Sequence, residues 1–145
     1  MPGEKVSPES IAAKRVLERD ALMLKGHKAG FCILWKDYYQ LDDPLHWVLR
    51  VKFNLSDYMS GTPAYLQMMT HHVQFEFNDV YVNGERVASL TPSGQKGWWF
   101  ESIVIPNLRQ GTNELLVITR NNTGGQSGNL DMFRLRDAVL FYAAE

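Results

Sequence analysis

The sequence predicts an all-β protein, an antiparallel β-sandwich of the jelly-roll kind with a short N-terminal helix. Three observations carry that prediction. Asn83-Gly84 sits between Val80-Tyr81-Val82 and Glu85-Arg86-Val87, and a two-residue type I′ hairpin needs positive φ at both loop positions, which Asn-Gly supplies. His46 to Asn54 alternates strictly, with Trp47, Leu49, Val51, Phe53 and Leu55 on one side and His46, Arg50, Lys52 and Asn54 on the other; that is the period of a half-buried strand. Beyond residue 80, short apolar runs are separated by Gly, Asn and Pro turns, the spacing of sandwiches rather than of parallel α/β folds.

Composition bounds the rest. The 145 residues are 45% hydrophobic and 12% aromatic, enough for one domain with a single core. We place an N-terminal helical extension at residues 1–15 and one sandwich domain at 16–145. Net charge is −1, so no electrostatic footprint for nucleic acid or an anionic membrane exists. No apolar run approaches the roughly 20 residues of a bilayer span. The start, MPGEKVSPES, lacks an apolar leader core, which favours a cytoplasmic location unless a leader has been removed. One cysteine, Cys32 in FCIL, forbids an internal disulfide and reads as a small packing residue.

Along the chain, Ser7-Pro8-Glu9 has the order of N-cap, N1 and N2 of a helix. Two continuations are open. Ala13, Val16, Leu17, Ala21 and Leu24 form a helical stripe closed by Gly26, or the helix stops near Lys14 and 16–24 is a strand. Phe31 to Trp35 predicts a buried strand, and Tyr38 to Pro44 a loop. Ser56 to Thr70 predicts a long interruption, with Thr62-Pro63 starting a short helix over Ala64 to Met69. Strand pattern resumes at His72, with Val73, Phe75 and Phe77 on one face and a slip in parity at Asn78-Asp79. The hairpin follows, with Val82 facing Glu85, Tyr81 facing Arg86 and Val80 facing Val87. Trp98 to Ile105 is a strand ended by Pro106, and Leu115 to Ile118 a central one. Asn121 to Asn129 predicts a flexible polar loop, and Leu130–Leu135 and Ala138–Tyr142 complete the sheets.

The order Val80-Tyr81-Val82-Asn83-Gly84, Gly97-Trp98-Trp99-Phe100, Leu108 to Val117 (LRQGTNELLV) and Gly128-Asn129-Leu130-Asp131 resembles a galactose-binding-like jelly roll. It is most similar to carbohydrate-binding modules of families six and thirty-five, over about residues 73–142. Its VNG and G-x-N-x-L-x-V parts also resemble the N-terminal sugar-binding domain of β-galactosidases and β-glucuronidases. The resemblance implies a loop-borne aromatic stacked on a sugar, here Trp98 or Trp99, and a closing Asn bonded to sugar hydroxyls, here Asn129. An indole suits the C–H face of a pyranose, and an amide pairs its hydroxyls. Tyr38 or Tyr39 would form the opposite wall. The resemblance also implies a structural calcium on Glu18 or Asp20 with Asp131, since calcium takes oxygen ligands.

Other chemistry is thinly represented. Trp98 and Trp99 are adjacent strand residues, so one faces the core and the other outward. Alternation also sends His71 away from His72, Gln74 and Glu76, so no three-ligand metal set closes there. No nucleophile elbow, zincin, P-loop or dinucleotide motif occurs. The expectation is therefore a non-catalytic module for a carbohydrate or similar polyhydroxylated ligand. The alternative is an intracellular interaction domain that assembles into a homo-oligomer or larger complex through its N-terminal helix and the 56–70 loop. A third is an enzyme whose site is built from distant loops.

Overall fold

The computed structural model describes the backbone of residues 3–5 and the chain at 28–37, 39–41, 47–93, 97–126 and 128–145. The strands there are β1 (Gly3–Lys5), β2 (Lys28–Trp35), β3 (Tyr39–Leu41), β4 (Val48–Leu55), β5 (Ala64–His71), β6 (Asp79–Val82), β7 (Glu85–Ser89), β8 (Trp98–Ile105), β9 (Gly111–Ile118) and β10 (Phe133–Ala144). One antiparallel sheet has the order β1-β8-β5-β10-β2, with β3 also paired to β10. The other has the order β4-β9-β6-β7. The two sheets form the expected sandwich. Leu66, Met68, Ile103, Ile105, Leu135 and Leu140 from the first sheet share one buried core with Leu55, Val80, Val82, Leu115 and Val117 from the second. The expected helix from Ser7, and the two alternatives for residues 16–24, lie outside the described residues.

The Asn-Gly turn forms as expected, with Asn83 at φ 52 and Gly84 at φ 84. Val82 faces Glu85 and Tyr81 faces Arg86, but Val80 faces Ala88 rather than Val87, because a bulge falls between Val80 and Tyr81. Asn83 does more than turn the chain. Its side-chain nitrogen donates to Asn107 O at 3.0 Å and to Asn113 Oδ1 at 2.9 Å. Its side-chain oxygen accepts the Glu114 N–H at 2.9 Å. Asn113 is buried; its nitrogen donates to Arg109 O and Gly111 O, and its oxygen also accepts the Arg109 N–H. The asparagines of two separate turns thus satisfy one another where backbone groups would otherwise be stranded.

Four expectations are corrected. Ala64 to Met69 is not a helix but part of β5, which pairs with β10 on one side and β8 on the other. Leu, Gln and Met favour helices in isolation, yet a place between two strands with cover on both faces overrides that weak preference. Residues 72–78 are not a strand. His72 takes φ 68 at the end of β5, and the N–H groups of Gln74 and Phe75 go to a side chain instead of a ladder. Tyr39–Leu41 is a short strand against β10 rather than loop. Leu130–Leu135 and Ala138–Tyr142 are not two strands: β10 runs from Phe133 through a register shift near Arg136, where Asp137 has φ 54. At the start of the loop after β9, Asn121 Oδ1 accepts the N–H groups of Thr123 and Gly125.

Gly30 sits on β2 directly opposite Tyr142. A Cβ there would lie 2.6 Å from the Tyr142 ring, and that ring is anchored by its hydroxyl, which donates to Asp57 Oδ1 at 2.7 Å. Gly30→Ala should therefore destabilise the fold by about 1–3 kcal/mol, as overpacking does, read as a lower urea midpoint at unchanged m-value. An unaltered midpoint would show that the ring moves aside freely.

Candidate functional site

The outward face of the first sheet gathers polar and aromatic side chains at one end. Across the strands, Gln40 pairs with Arg134, Arg134 with His71, and His71 with Trp98. Residues directly opposite one another share a face, so four strands contribute one row. Beside it lies a pocket of about 150 Å³ lined by Gln40, His71, His72, Met132, Phe133 and Arg134. Trp98 adjoins the pocket without lining it. Its ring lies 5.1 Å from that of His71, and the Arg136 guanidinium sits 4.3 Å from its ring centre, a cation–π contact that orients the indole. Burial, then Arg134, then His72 hold the His71 imidazole below its ordinary pKa; its Nδ1 is buried with no hydrogen-bond partner among the described residues, so one ring nitrogen is left for a ligand.

Strand alternation divides the tryptophans as expected. Trp99 pairs with Thr70 and shares the parity of Ile103 and Ile105, which belong to the core, while Trp98 has the parity of the outward face. The indole N–H of Trp99 and the hydroxyl of Thr70 are buried with no hydrogen-bond partner among the described residues. Glu101, on the same inward side, is 0% exposed. One of its carboxyl oxygens accepts the Thr91 N–H at 2.6 Å, and the other has no hydrogen-bond partner among the described residues. Burial pushes this carboxyl up, only partly offset by the bonds from Thr91.

The remaining expected residues fall elsewhere. Tyr38 lies outside the described residues. Tyr39 is exposed on β3 beside Gln40, with its ring edge-on to Trp35 at 6.0 Å. Asn129 is exposed on the loop that leads to Met132 and is not among the pocket's lining residues. Asp131 is 1% exposed. A single oxygen, Oδ2, accepts the N–H groups of Gln74 and Phe75, each at 2.9 Å, and the side-chain amide of Asn78 at 2.7 Å. Its other oxygen, Oδ1, is buried with no hydrogen-bond partner among the described residues, so the carboxylate commits one oxygen to donors and leaves the other unpaired. Glu18 and Asp20 lie outside the described residues. Among the described residues no three His, Cys, Asp or Glu side chains are placed to hold a metal together. Cys32 is half-buried against the core rather than enclosed, and burial raises its thiol pKa.

Sequence reasoning found Trp98 and missed Gln40, His72, Met132 and Arg134. No local motif joins them, since their proximity comes from the pairing of β3, β10, β5 and β8. His71 and His72 were separated by the assumption of continuous alternation, which the positive φ of His72 breaks.

No protein-family model matches the chain, and no curated protein matches it. Solved structures of similar form do exist. A family 35 carbohydrate-binding module from Clostridium thermocellum has a TM-score of 0.44 at 15% identity, over 79% of this chain and 99% of that one. A family 35 module from an environmental isolate has 0.41 at 16%, over 81% and 94%. The β-porphyranase BpGH86A from Bacteroides plebeius has 0.48 at 14%, over 80% of this chain and 20% of that one. At such scores and identities the site must be argued from its own residues.

Glu101 gives a pH test of the buried inward side. Below its unfolded value of 4.5 the carboxyl is neutral in both states and stability is fully present. As pH rises the unfolded chain ionises first, and stability is lost through the raised folded pKa. Glu101→Gln is neutral throughout, so its urea midpoint relative to the parent should climb between pH 4 and pH 8. A pH-independent difference would contradict the assignment.

Proposed function

We propose that this protein is a non-catalytic module that binds a carbohydrate or similar polyhydroxylated ligand at the Trp98 end of the first sheet. The carrying observation is the pocket lined by Gln40, His71, His72 and Arg134 beside an outward indole. Amide and imidazole groups can donate to or accept from hydroxyls and the guanidinium donates to them, while Met132 and Trp98 offer the apolar surface that a sugar's C–H face requires. A volume of about 150 Å³ is below the roughly 300 Å³ of ordinary small-molecule sites, so the pocket suits one sugar ring or the end of a chain. Tyr39 pairs with the core residue Leu135, on the opposite face of the sheet from Gln40, and Asn129 does not line the pocket, so the reading gives neither a ligand contact. Asp131 positions the neighbouring loop through Oδ2.

Affinity electrophoresis through a glycan panel tests it. On a retarding glycan, Trp98→Ala should bind about tenfold or more weakly, the worth of an aromatic contact together with its buried area, and Asn129→Ala should lose less. Equal retardation of Trp98→Ala and parent would remove the site, and no retardation on any glycan would remove the function.

A second reading, assembly with another copy of the chain, is favoured by β2. It ends the sheet with no further described strand beyond it, and it carries Phe31 at 65% and Ile33 at 44% exposure. Such an edge invites pairing. Light scattering should then give a dimer that Ile33→Lys dissociates; a monomer at high concentration would dismiss this reading.

A further inference from the structure

Three non-glycine residues among those described have positive φ: His72, Asn83 and Asp137. Asn83 turns the hairpin, and Asp137 sits in the register shift of β10, so each has a local backbone reason for the left-handed region; Asn, Asp and His are the non-glycine types found there most often. His72 has no such turn to make. It follows directly on the last residue of β5, where glycine would take φ 68 at no steric cost. A residue held in a sparsely populated backbone region points to use of its side chain.

The consequence of the strain is visible. On a continued strand His71 and His72 would face opposite ways. Instead their rings lie 6.0 Å apart at 79° and both line the same pocket. The Gln74 side-chain nitrogen holds His72 Nε2 at 3.0 Å, which fixes the ring and leaves Nδ1 as the nitrogen for a ligand. The Gln74 amide nitrogen can only donate, so Nε2 accepts and Nδ1 carries the proton, a donor that the oxygen of a sugar hydroxyl can accept.

We propose that His72 is a specificity-determining residue of the pocket, its backbone held left-handed so that Nδ1 meets a ligand hydroxyl beside His71. The proposal rests on the carbohydrate-binding reading and sharpens it to one atom.

The test measures stability and affinity on the same variants of the full chain. Urea unfolding is combined with NMR titration by the methyl glycosides of galactose, glucose, xylose and mannose. His72→Gly relieves the strain and removes the ring, so its urea midpoint should equal or exceed that of the parent. Its affinity for the best-bound glycoside should fall roughly fivefold to tenfold, the worth of one net hydrogen bond. His72→Asn, a planar amide that also tolerates the left-handed region, should recover part of that affinity. A His72→Gly midpoint well below the parent would overturn the proposal, because the ring would then be serving the fold. If the parent binds a glycoside and His72→Gly binds it equally, this inference alone fails. If no glycoside shifts any resonance of the parent, the carbohydrate-binding reading fails and this one with it.

Discussion

The buried carboxylate of Asp131 is the contact on which the ordering of the candidate site depends. Between β5 in one sheet and β6 in the other, the chain runs seven residues, 72–78, without a ladder partner. Its N–H groups must still be satisfied. Asp131 takes those of Gln74 and Phe75 and the amide of Asn78 on one oxygen. Asn78 in turn accepts the Arg120 N–H and donates to Phe75 O, and the Asp131 N–H donates to Arg120 O. Charge-assisted bonds of this kind are among the stronger ones a fold can make. They fix the crossover between the sheets, and with it the place where β5 gives way to His72.

The motif residues that drew attention in the sequence prove to be scaffold. Asn83, Asn107 and Asn113 knit two turns together through their amides, and Asp131 ties down a loop. The groups they satisfy are backbone groups of the turns and of the crossover between the sheets. They speak for the fold and leave the ligand open. What could bind a ligand is carried instead by residues outside those motifs, namely Gln40, His71, His72 and Arg134, with Trp98 as the one overlap.

How much was legible follows from the range of each interaction. The hairpin, β4, β8 and β9 were readable because turn chemistry and alternation act within a few residues. Ala64 to His71 was not, since its helix-favouring composition loses to its place between β8 and β10, which only long-range pairing reveals. The pocket was illegible for the same reason. It joins positions 40, 71, 72 and 132–134 through the register of β3, β10 and β5. His71 and His72 could be brought together only by abandoning the alternation rule at a single residue, and nothing in the local sequence marks that break.

The most direct measurement is a heteronuclear NMR titration of the parent protein with glycosides, following the Trp98 indole, the His71 and His72 imidazoles and the Arg134 side chain. The account predicts that these resonances shift together and saturate with one affinity, while those of the β4-β9-β6-β7 sheet stay still. Shifts confined to that second sheet, or to the 121–129 loop, would contradict it.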